Sequence, residues 1–364
     1  MKLTFQKDDL LRVMPPLQGV IGTKSMLPIL SHVILEAGSE GATLSASDLE
    51  IWISCRLPAA VEEEGSCSLP GRRIFNIIRE LPGAAVRLET GEDLSTRLTC
   101  ARSFFQMNGL PREEFPAAPQ LKDAIEIPIR ESQLKELIKK TSYAISVEDS
   151  RFVLNGLYLL FADGELTAAA TDGRRLAVAK TECATPPDCR REIILPQKTV
   201  LELSRILGDE GECRIKLGER QVAFEFSEIL MISRLIEGRY PNYQQVIPQA
   251  PGVTITLPRE PLMQMVKRAS LITDEKSNSV RFIFGPGQLQ ISAITPEVGQ
   301  AREEMEIDYS GAELKIAFNP YYLMDVLKAV DEEENINLQL IDSGSPGLLK
   351  VGERFLCVIM PMKL

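Results

Sequence analysis

The chain alternates between two hydrophobic periods, and the order of these periods returns three times along the sequence. The segments "MKLTFQKDDLLRVM" from Met1, "IEIPIRESQLKELI" from Ile125 and "VTITLPREPLMQMV" from Val253 each open with alternating apolar residues, which is typical of a strand. Each segment then passes through a short polar link into apolar residues at helical spacing. The pattern predicts a strand followed by a helix at the start of each of three repeats.

The register of the repeat supports this interpretation. A shift of 124 residues places Phe5 on Ile129 and carries "LSASD" (44–48) onto "AAATD" (168–172). A shift of 128 carries Ile129 onto Leu257. Apolar positions therefore coincide between the copies, as a repeated fold requires.

A second strand–helix signal follows in every copy, and each has proline at or near the helix start, where the missing N–H costs nothing. Asp8, Ser132 and Glu260 lie at the first helix of each copy and are expected to cap it or to occupy its first turn. The predicted helices cover residues 8–18, 71–79, 132–142, 196–206, 260–270 and 320–329.

Short alternating runs between the helices, such as "AVRLET" and "NINLQLIDS", predict antiparallel strands. The order of elements is strand, helix, strands, twice in each copy, which indicates an α+β fold and not alternating βαβ units. Links rich in Pro and Ala at 115–124 and 247–253 separate the copies. We therefore expect three domains, each with two helices packed on antiparallel sheets, at residues 1–119, 120–248 and 249–364.

The composition fits a globular protein with several cores: 364 residues, 44% of them apolar. No apolar run approaches the roughly 18 residues of a membrane span, and the first residues carry charges where a signal peptide has its apolar block. A cytoplasmic protein without membrane contact is expected.

Residues for catalysis or metal binding are scarce. The one histidine, His32, lies in the apolar run "LPILSHVILEA" and is expected to be hydrogen-bonded or at a sheet edge. The seven cysteines are odd in number and contain no C-x-x-C pair, so buried free thiols are expected. The sequence has no G-x-x-x-x-G-K-[ST] or G-x-G-x-x-G motif. We expect no catalytic residue, no metal and no cofactor.

The charge is distributed unevenly. The chain has a net charge of −10, whereas its six predicted helices carry +6, with Arg72, Arg73, Lys139 and Lys140 as the strongest members. If the helices shared one face, that face would attract phosphate without reading bases, and the acidic remainder would repel stray DNA. The alternative is that these helices simply carry Lys and Arg on ordinary solvent-exposed faces that bind no ligand.

Three segments carry a resemblance: "TDGRRLA" (171–177), "GRYPNYQQVIP" (238–248) and "VIMPMKL" (358–364). Together with the three repeated domains, and collinear over the full length, they resemble the sliding-clamp family, the β subunit of bacterial DNA polymerase III. The resemblance implies a head-to-tail homodimeric ring with helices lining the hole. It implies a non-catalytic processivity factor that encircles duplex DNA without sequence preference.

The resemblance also implies a hydrophobic groove between the second and third domains, in which partner proteins dock a short peptide. The expected partners are the DNA polymerase III α subunit, the clamp loader, other polymerases and mismatch-repair proteins. The implied groove residues are Arg151, Leu154, Thr171, Gly173, Arg174, Arg175, Leu176, Pro241, Val246, Val358, Met360, Pro361, Met362 and Leu364.

Two further surfaces follow from the resemblance. The DNA-facing residues would be Lys24, Arg72, Arg73, Phe152 and Lys198. At the dimer interface, the first domain would contribute Phe105 and Met107, and the third domain of the partner copy Leu271 and Ile272. The accompanying ion pairs would join Glu297, Glu303 and Glu304 to basic residues such as Arg73 and Arg102.

The chain departs from the family pattern at four positions in or beside these sets. Arg174 stands where histidine is frequent, Val153 where an aromatic residue is, and Gln245 where arginine is common. Glu148 replaces a neutral residue beside the DNA-facing set. We expect these changes to affect the polarity of the groove rim and the contact with duplex DNA near Glu148.

The pair Asp172-Gly173 is interpreted as a hairpin turn, since Asp-Gly is a strong signal for one. The first repeat has Ser47-Asp48 at the same place, followed by Leu49 in place of the glycine. Two other functions stay open at this point. One is a metal-dependent nuclease using Asp48 and Asp172, which would need these carboxylates in one site. The other is a three-domain scaffold that binds proteins but no DNA.

Overall fold

A computed structural model describes residues 1–22, 27–250, 252–273 and 278–363. The chain forms two compact units, one built from residues 1–135 and 201–235 and the other from residues 136–200 and 236–364. Within the described ranges there are six α-helices and 25 strands, which confirms the mixed α+β class.

The helices are α1 (Lys7–Gln18), α2 (Gly71–Glu80), α3 (Glu131–Thr141), α4 (Gln197–Ile206), α5 (Arg259–Ser270) and α6 (Pro320–Ala329). Every predicted end lies within one residue of the observed one. Asp8 and Glu260 occupy first turns, where a negative charge complements the helix dipole. Neither is a cap, because α1 and α5 follow Gln6 and Pro258 directly and begin without a side-chain cap.

The strands of the first predicted domain are β1 to β9, at Lys2–Gln6, His32–Gly38, Gly41–Ser47, Ile51–Leu57, Ala60–Glu63, Gly65–Pro70, Ala85–Thr90, Ser95–Cys100 and Ser103–Asn108. The central strands are β10 to β17, at Ile125–Arg130, Gly156–Ala162, Glu165–Thr171, Arg175–Glu182, Arg190–Pro196, Glu212–Leu217, Gln221–Phe226 and Ile229–Arg234. The last are β18 to β25, at Val253–Pro258, Val280–Gly285, Gln288–Thr295, Gly299–Glu306, Leu314–Phe318, Asn335–Leu340, Gly347–Val351 and Phe355–Ile359.

Each unit contains two antiparallel sheets. The first has a five-stranded sheet in the order β5-β1-β7-β8-β9 and an eight-stranded sheet in the order β10-β15-β16-β17-β4-β3-β2-β6. The second has an eight-stranded sheet in the order β14-β11-β12-β13-β25-β24-β23-β18 and a four-stranded sheet in the order β21-β20-β19-β22. The central domain therefore supplies strands to both eight-stranded sheets.

Each eight-stranded sheet combines strands of two predicted domains, and one pair of neighbouring strands joins the two sets in each sheet. β4 pairs with β17, so that Trp52 lies opposite Ile232. β13 pairs with β25, so that Leu176 lies opposite Val358. Both pairs lie above an apolar cluster, because inward-facing residues of neighbouring strands meet on one side of a sheet.

The cysteines are free, and six of the seven are buried, as expected; Cys189 is half-buried. His32 departs from its prediction. It is buried on the inner strand β2, and its Nδ1 has no hydrogen-bond partner among the described residues. The apolar run around it buries the ring, and that burial lowers its pKa. Within the described residues, no helix has the length and apolarity to cross a bilayer.

Candidate functional site

The turn between β12 and β13 is closed by side chains of its own residues. Asp172 Oδ1 accepts hydrogen bonds from the backbone N–H of Arg174 at 2.9 Å and of Arg175 at 3.0 Å. Thr171 Oγ1 donates to the carbonyl of Arg175 at 2.6 Å. Gly173 has a φ of +84°, which a glycine adopts without strain. The hairpin turn predicted at Asp172-Gly173 is confirmed.

Arg175 anchors this turn from below. Its guanidinium contacts Asp172 at 3.1 Å and Asp325, on α6, at 2.7 Å, and it donates to the carbonyl of Tyr143. It also lies over the rings of Tyr143 and Tyr322, at 5.3 and 4.5 Å. Burial opposes its charge, but the ion pairs outweigh burial and raise its pKa. With only 10% of the side chain exposed, Arg175 positions the turn more than it presents a surface.

Three of the implied groove residues lie in one buried apolar cluster: Leu154, Leu176 and Val358. Tyr240, from the link after β17, joins this cluster and stacks on Tyr158 with ring centroids 5.1 Å apart. Its hydroxyl accepts a hydrogen bond from the backbone N–H of Thr171 at 3.1 Å. These contacts fix the link to the sheet and form an apolar floor beside the turn.

The segments that pack on this floor also carry exposed apolar side chains. Val246 is 54% exposed and Met360 45% exposed, and Pro241 is also exposed. The backbone N–H of Met360 donates to the carbonyl of Arg174 at 2.9 Å, which holds the C-terminal segment along the turn. Pro361 and Met362 are half-buried, and Leu364 lies outside the described residues.

Arg151 closes one end of the turn. It donates to the carbonyl of Asp172 at 2.9 Å, and its Nε lies 3.5 Å from Glu148. A Cβ on Gly173 would come within 2.3 Å of Arg151 Nη1, so this glycine also makes room for the arginine. The unusual Glu148 is therefore half of an ion pair with a groove residue.

Four residues that support this site were not predicted from the sequence: Tyr143, Tyr240, Tyr322 and Asp325. Tyr240 lies within "GRYPNYQQVIP", so its proximity to a quoted motif was a usable signal. Asp325 is 150 positions from Arg175, and no local pattern connects the two.

The observed helices again carry a net charge of +6. Arg72 and Arg73, on α2, are exposed and make no ion pair with any described residue. Lys198 and Phe152 are also exposed, whereas Lys24 lies outside the described residues. Four of the five implied DNA-facing residues are therefore accessible to a ligand.

The α3 lysines differ from the α2 arginines. Lys139 pairs with Asp331, Lys140 with Glu136 at 2.8 Å. These acids cancel much of the positive charge that the helix count assigned to Lys139 and Lys140. The helical charge is therefore concentrated more on α2 than the sequence indicated.

The implied dimer residues lie on an edge strand in one unit and directly after α5 in the other. β9 ends the five-stranded sheet, where Phe105 is exposed but Met107 is only 7% exposed and belongs to the core. In the other unit Leu271 is 75% exposed and Ile272 half-buried. Three further exposed apolar residues were not predicted from the sequence: Phe104 on β9, Ile294 on β20 and Val298 just before β21.

Two of the acids expected at the dimer interface already have partners in this chain. Glu303 pairs with Arg268, and Glu304 with Arg302. Glu297 is exposed. Among the described residues no cluster of three or more His, Cys, Asp or Glu could hold a metal ion. Asp172 directs its carboxylate to the turn backbone and to Arg175.

Comparison with known proteins gives the family. The models of the N-terminal, central and C-terminal domains of the DNA polymerase III beta subunit match residues 1–119, 128–242 and 244–363. The chain belongs to this family. The beta sliding clamp of Chlamydia muridarum is 34% identical over 364 residues, covering 100% of this chain and 99% of that protein.

Solved structures of the same family have the same fold. The DNA polymerase sliding clamp from Bacillus subtilis matches with a TM-score of 0.95 at 31% identity, over 100% of this chain and 99% of that chain. A sliding clamp from Pseudomonas aeruginosa bound to griselimycin matches with a TM-score of 0.96 at 31% identity, over 100% of both chains. The function is that of a DNA polymerase sliding clamp, a processivity subunit, and a scaffold that does not bind DNA is not favoured.

Proposed function

We propose that two copies of this chain close head to tail around duplex DNA and recruit partner proteins through the groove beside the β12–β13 turn. The chain supplies no catalytic group and acts by tethering. Because it acts on replicating DNA, it acts in the cytoplasm. The three domains would be residues 1–119, 120–248 and 249–364.

The groove is the best supported part of the proposal. The observation that carries it is that Val246 and Met360 are exposed on segments whose neighbouring residues pack on the buried floor of Leu154, Leu176 and Val358. Exposed apolar side chains beside a preformed floor mark a binding surface, and methionine adapts to differently shaped partners. Its ligands would be short segments of the polymerase α subunit, the clamp loader, other polymerases and mismatch-repair proteins.

The dimer proposal rests on the sheet edges. An edge strand presents unpaired backbone groups that another chain can complete. β9 and β21 are such edges. The exposed Phe104 and Phe105 lie on β9, and the exposed Leu271 directly follows α5, which packs against β21. We propose that Phe105 of one copy meets Leu271 and Ile272 of the other, while Met107, which is buried, supports the same strand from the core. Because Glu303 and Glu304 are already paired, Glu297 is the acid most free to meet Arg73 or Arg102.

The groove is tested by fluorescence polarisation with a labelled peptide of the Gln-Leu-x-Leu-Phe type. We expect saturable binding to the full chain and none to a variant lacking residues 360–364, because the rim residue Met360 is then absent. Met360→Asp tests the same point without truncation. Lys363→Ala, an exposed change in the same segment, is the matched control and should bind normally. Equal binding by the truncated chain would overturn the groove assignment.

The DNA contact is tested by the salt dependence of duplex binding. Arg72→Ala with Arg73→Ala removes two unpaired charges, so the slope of log K against log salt should fall by about two. Lys139→Ala is the matched control, because its charge is already held by Asp331. An unchanged slope in the double variant would exclude α2 from the DNA-facing surface.

A further inference from the structure

The first unit contains a second copy of the turn that forms the groove. Asp48 Oδ1 accepts hydrogen bonds from the backbone N–H of Glu50 at 3.0 Å and of Ile51 at 2.7 Å. Ser47 Oγ donates to the carbonyl of Ile51 at 3.0 Å. Leu49 has a φ of +78°, within a few degrees of the glycine at the equivalent place in the other unit. The β3–β4 turn thus repeats the hydrogen bonds that Thr171 and Asp172, the turn's own side chains, make to the backbone of the β12–β13 turn.

The surroundings of this turn are repeated as well. The backbone N–H of Arg234 donates to the carbonyl of Glu50 at 2.9 Å, as that of Met360 does to Arg174. Phe115, from the link between the first two domains, packs against Trp52 with ring centroids 5.3 Å apart. This link therefore covers an apolar floor, as the connection after β17 does with Tyr240.

A cavity of about 90 Å³ opens beside the repeated turn. That is enough space for an aliphatic side chain or a few water molecules. Leu49 is 45% exposed at its mouth, in a conformation that is strained for leucine. The walls that matter for recognition are Leu49, Glu50, Trp52, Ala117, Ile232 and Arg234.

The rim of this cavity differs in charge from the groove in the other unit. Glu50 stands where the other turn has Arg174, and Arg234 stands where the other segment has Met360. Both Glu50 and Arg234 are exposed, and neither makes an ion pair with any described residue. A complementary ligand would place an acid against Arg234 and a base against Glu50.

We propose that this cavity is a second docking groove for an extended peptide segment of another protein, with an apolar anchor flanked by one acidic and one basic residue. The proposal rests on the proposed function only in taking the β12–β13 groove as a peptide site. Its charge pattern would select ligands that the other groove does not favour, because the sign at the Glu50 position is reversed.

The test uses Trp52, the single tryptophan of the chain, as the reporter. Its emission reports on this cavity, and the β12–β13 groove contains no tryptophan. The full-length protein is titrated to about 1 mM, the range of weak binding, with four hexapeptides. They are Ala-Lys-Leu-Leu-Asp-Ala, Ala-Asp-Leu-Leu-Lys-Ala, Ala-Asp-Leu-Leu-Asp-Ala and Ala-Lys-Leu-Leu-Lys-Ala.

We expect at least one mixed-charge peptide to change the emission saturably and to bind about three- to fivefold more tightly than both single-sign peptides, as exposed ion pairs allow. Arg234→Gln should remove this preference, and Ala117→Phe should block the cavity from an exposed position. Leu49→Gly, which relieves backbone strain and so keeps the fold, should also weaken binding.

Met360→Asp separates this proposal from the groove of the proposed function. It should abolish binding of the Gln-Leu-x-Leu-Phe peptide and leave the Trp52 signal unchanged. The inference is overturned if no peptide changes the emission, if the single-sign peptides bind equally well, if the mixed-charge preference survives Arg234→Gln, or if the signal survives Ala117→Phe. None of these outcomes would bear on the β12–β13 groove.

Discussion

The β3–β4 and β12–β13 turns have the same backbone and different supports. Asp48 and Asp172 close the turns with equivalent hydrogen bonds. Beneath the first turn lies Ile51, which is fully buried. Beneath the second, the same strand position is held by the ion-paired Arg175. The two turns thus have the same shape, but the supporting residue is apolar in the first and ion-paired in the second.

The covering links show a parallel exchange. Tyr240 packs on Tyr158 and accepts a hydrogen bond from Thr171, whereas Phe115 packs on Trp52 and has no hydroxyl to do so. Both floors are aromatic, but only the second is also tied to its turn by a polar contact. The β12–β13 groove should therefore be more sensitive to polar substitutions than the β3–β4 cavity.

The largest difference is expected from Arg175→Ala. It leaves Asp325 and Asp172 without their cation in a mostly buried place, which should lower the free energy of unfolding by about 3 kcal/mol. Urea denaturation measures this, and Arg174→Ala, at the exposed neighbouring position, should change it by less than about 0.5 kcal/mol. A loss below about 1 kcal/mol for Arg175→Ala would show that the ionic support is dispensable.

A smaller difference is expected between Asp172→Ala and Asp48→Ala. Both remove a carboxylate that accepts two backbone hydrogen bonds, which should cost about 1 kcal/mol. Asp172→Ala also removes a partner of the buried Arg175, so it should cost about 2 kcal/mol more. Paired urea titrations decide the matter, and equal losses would mean that Asp325 alone satisfies Arg175.

Exchange of the residues with positive φ should have opposite effects in the two turns. Gly173→Leu forces a side chain into the left-handed region and against Arg151, at a cost of about 1–2 kcal/mol. Leu49→Gly relieves the same strain and should leave stability unchanged or slightly higher. The prediction fails if thermal unfolding shows both variants shifted in the same direction.

The smallest effect concerns one buried thiol near each turn. Burial raises the pKa of Cys55 to about 12, and that of Cys357 also to about 12. An unfolded thiol ionises near pH 9, so each contribution to stability is complete below pH 9 and lost as the pH rises towards 12. About 1 kcal/mol per thiol should disappear between pH 9 and pH 10.

Cys55→Ala and Cys357→Ala should therefore each flatten the alkaline decline in stability, by similar amounts. Urea titrations at a series of alkaline pH values measure the slopes. Slopes identical to that of the unsubstituted chain would show that these thiols do not titrate differently on unfolding.

The sequence by itself determined the elements and the repeat. Helix ends were correct within one residue, because periodicity and proline positions are read within a dozen residues. The Asp172-Gly173 turn and its counterpart at Ser47-Asp48 were equally readable, since the side chain bonds to backbone two and three positions away. The groove residues could be named from the sequence because the chain resembles the sliding-clamp family over its full length.

Tertiary structure alone decided which of these residues form surface and which form support. Arg174 and Arg175 are adjacent in sequence, yet one is exposed and the other is held by Asp325, 150 positions away. Lys139 loses its effective charge to Asp331, 192 positions away. Such pairs are set by which strands and helices are brought together, and this long-range free energy leaves no trace in a local pattern.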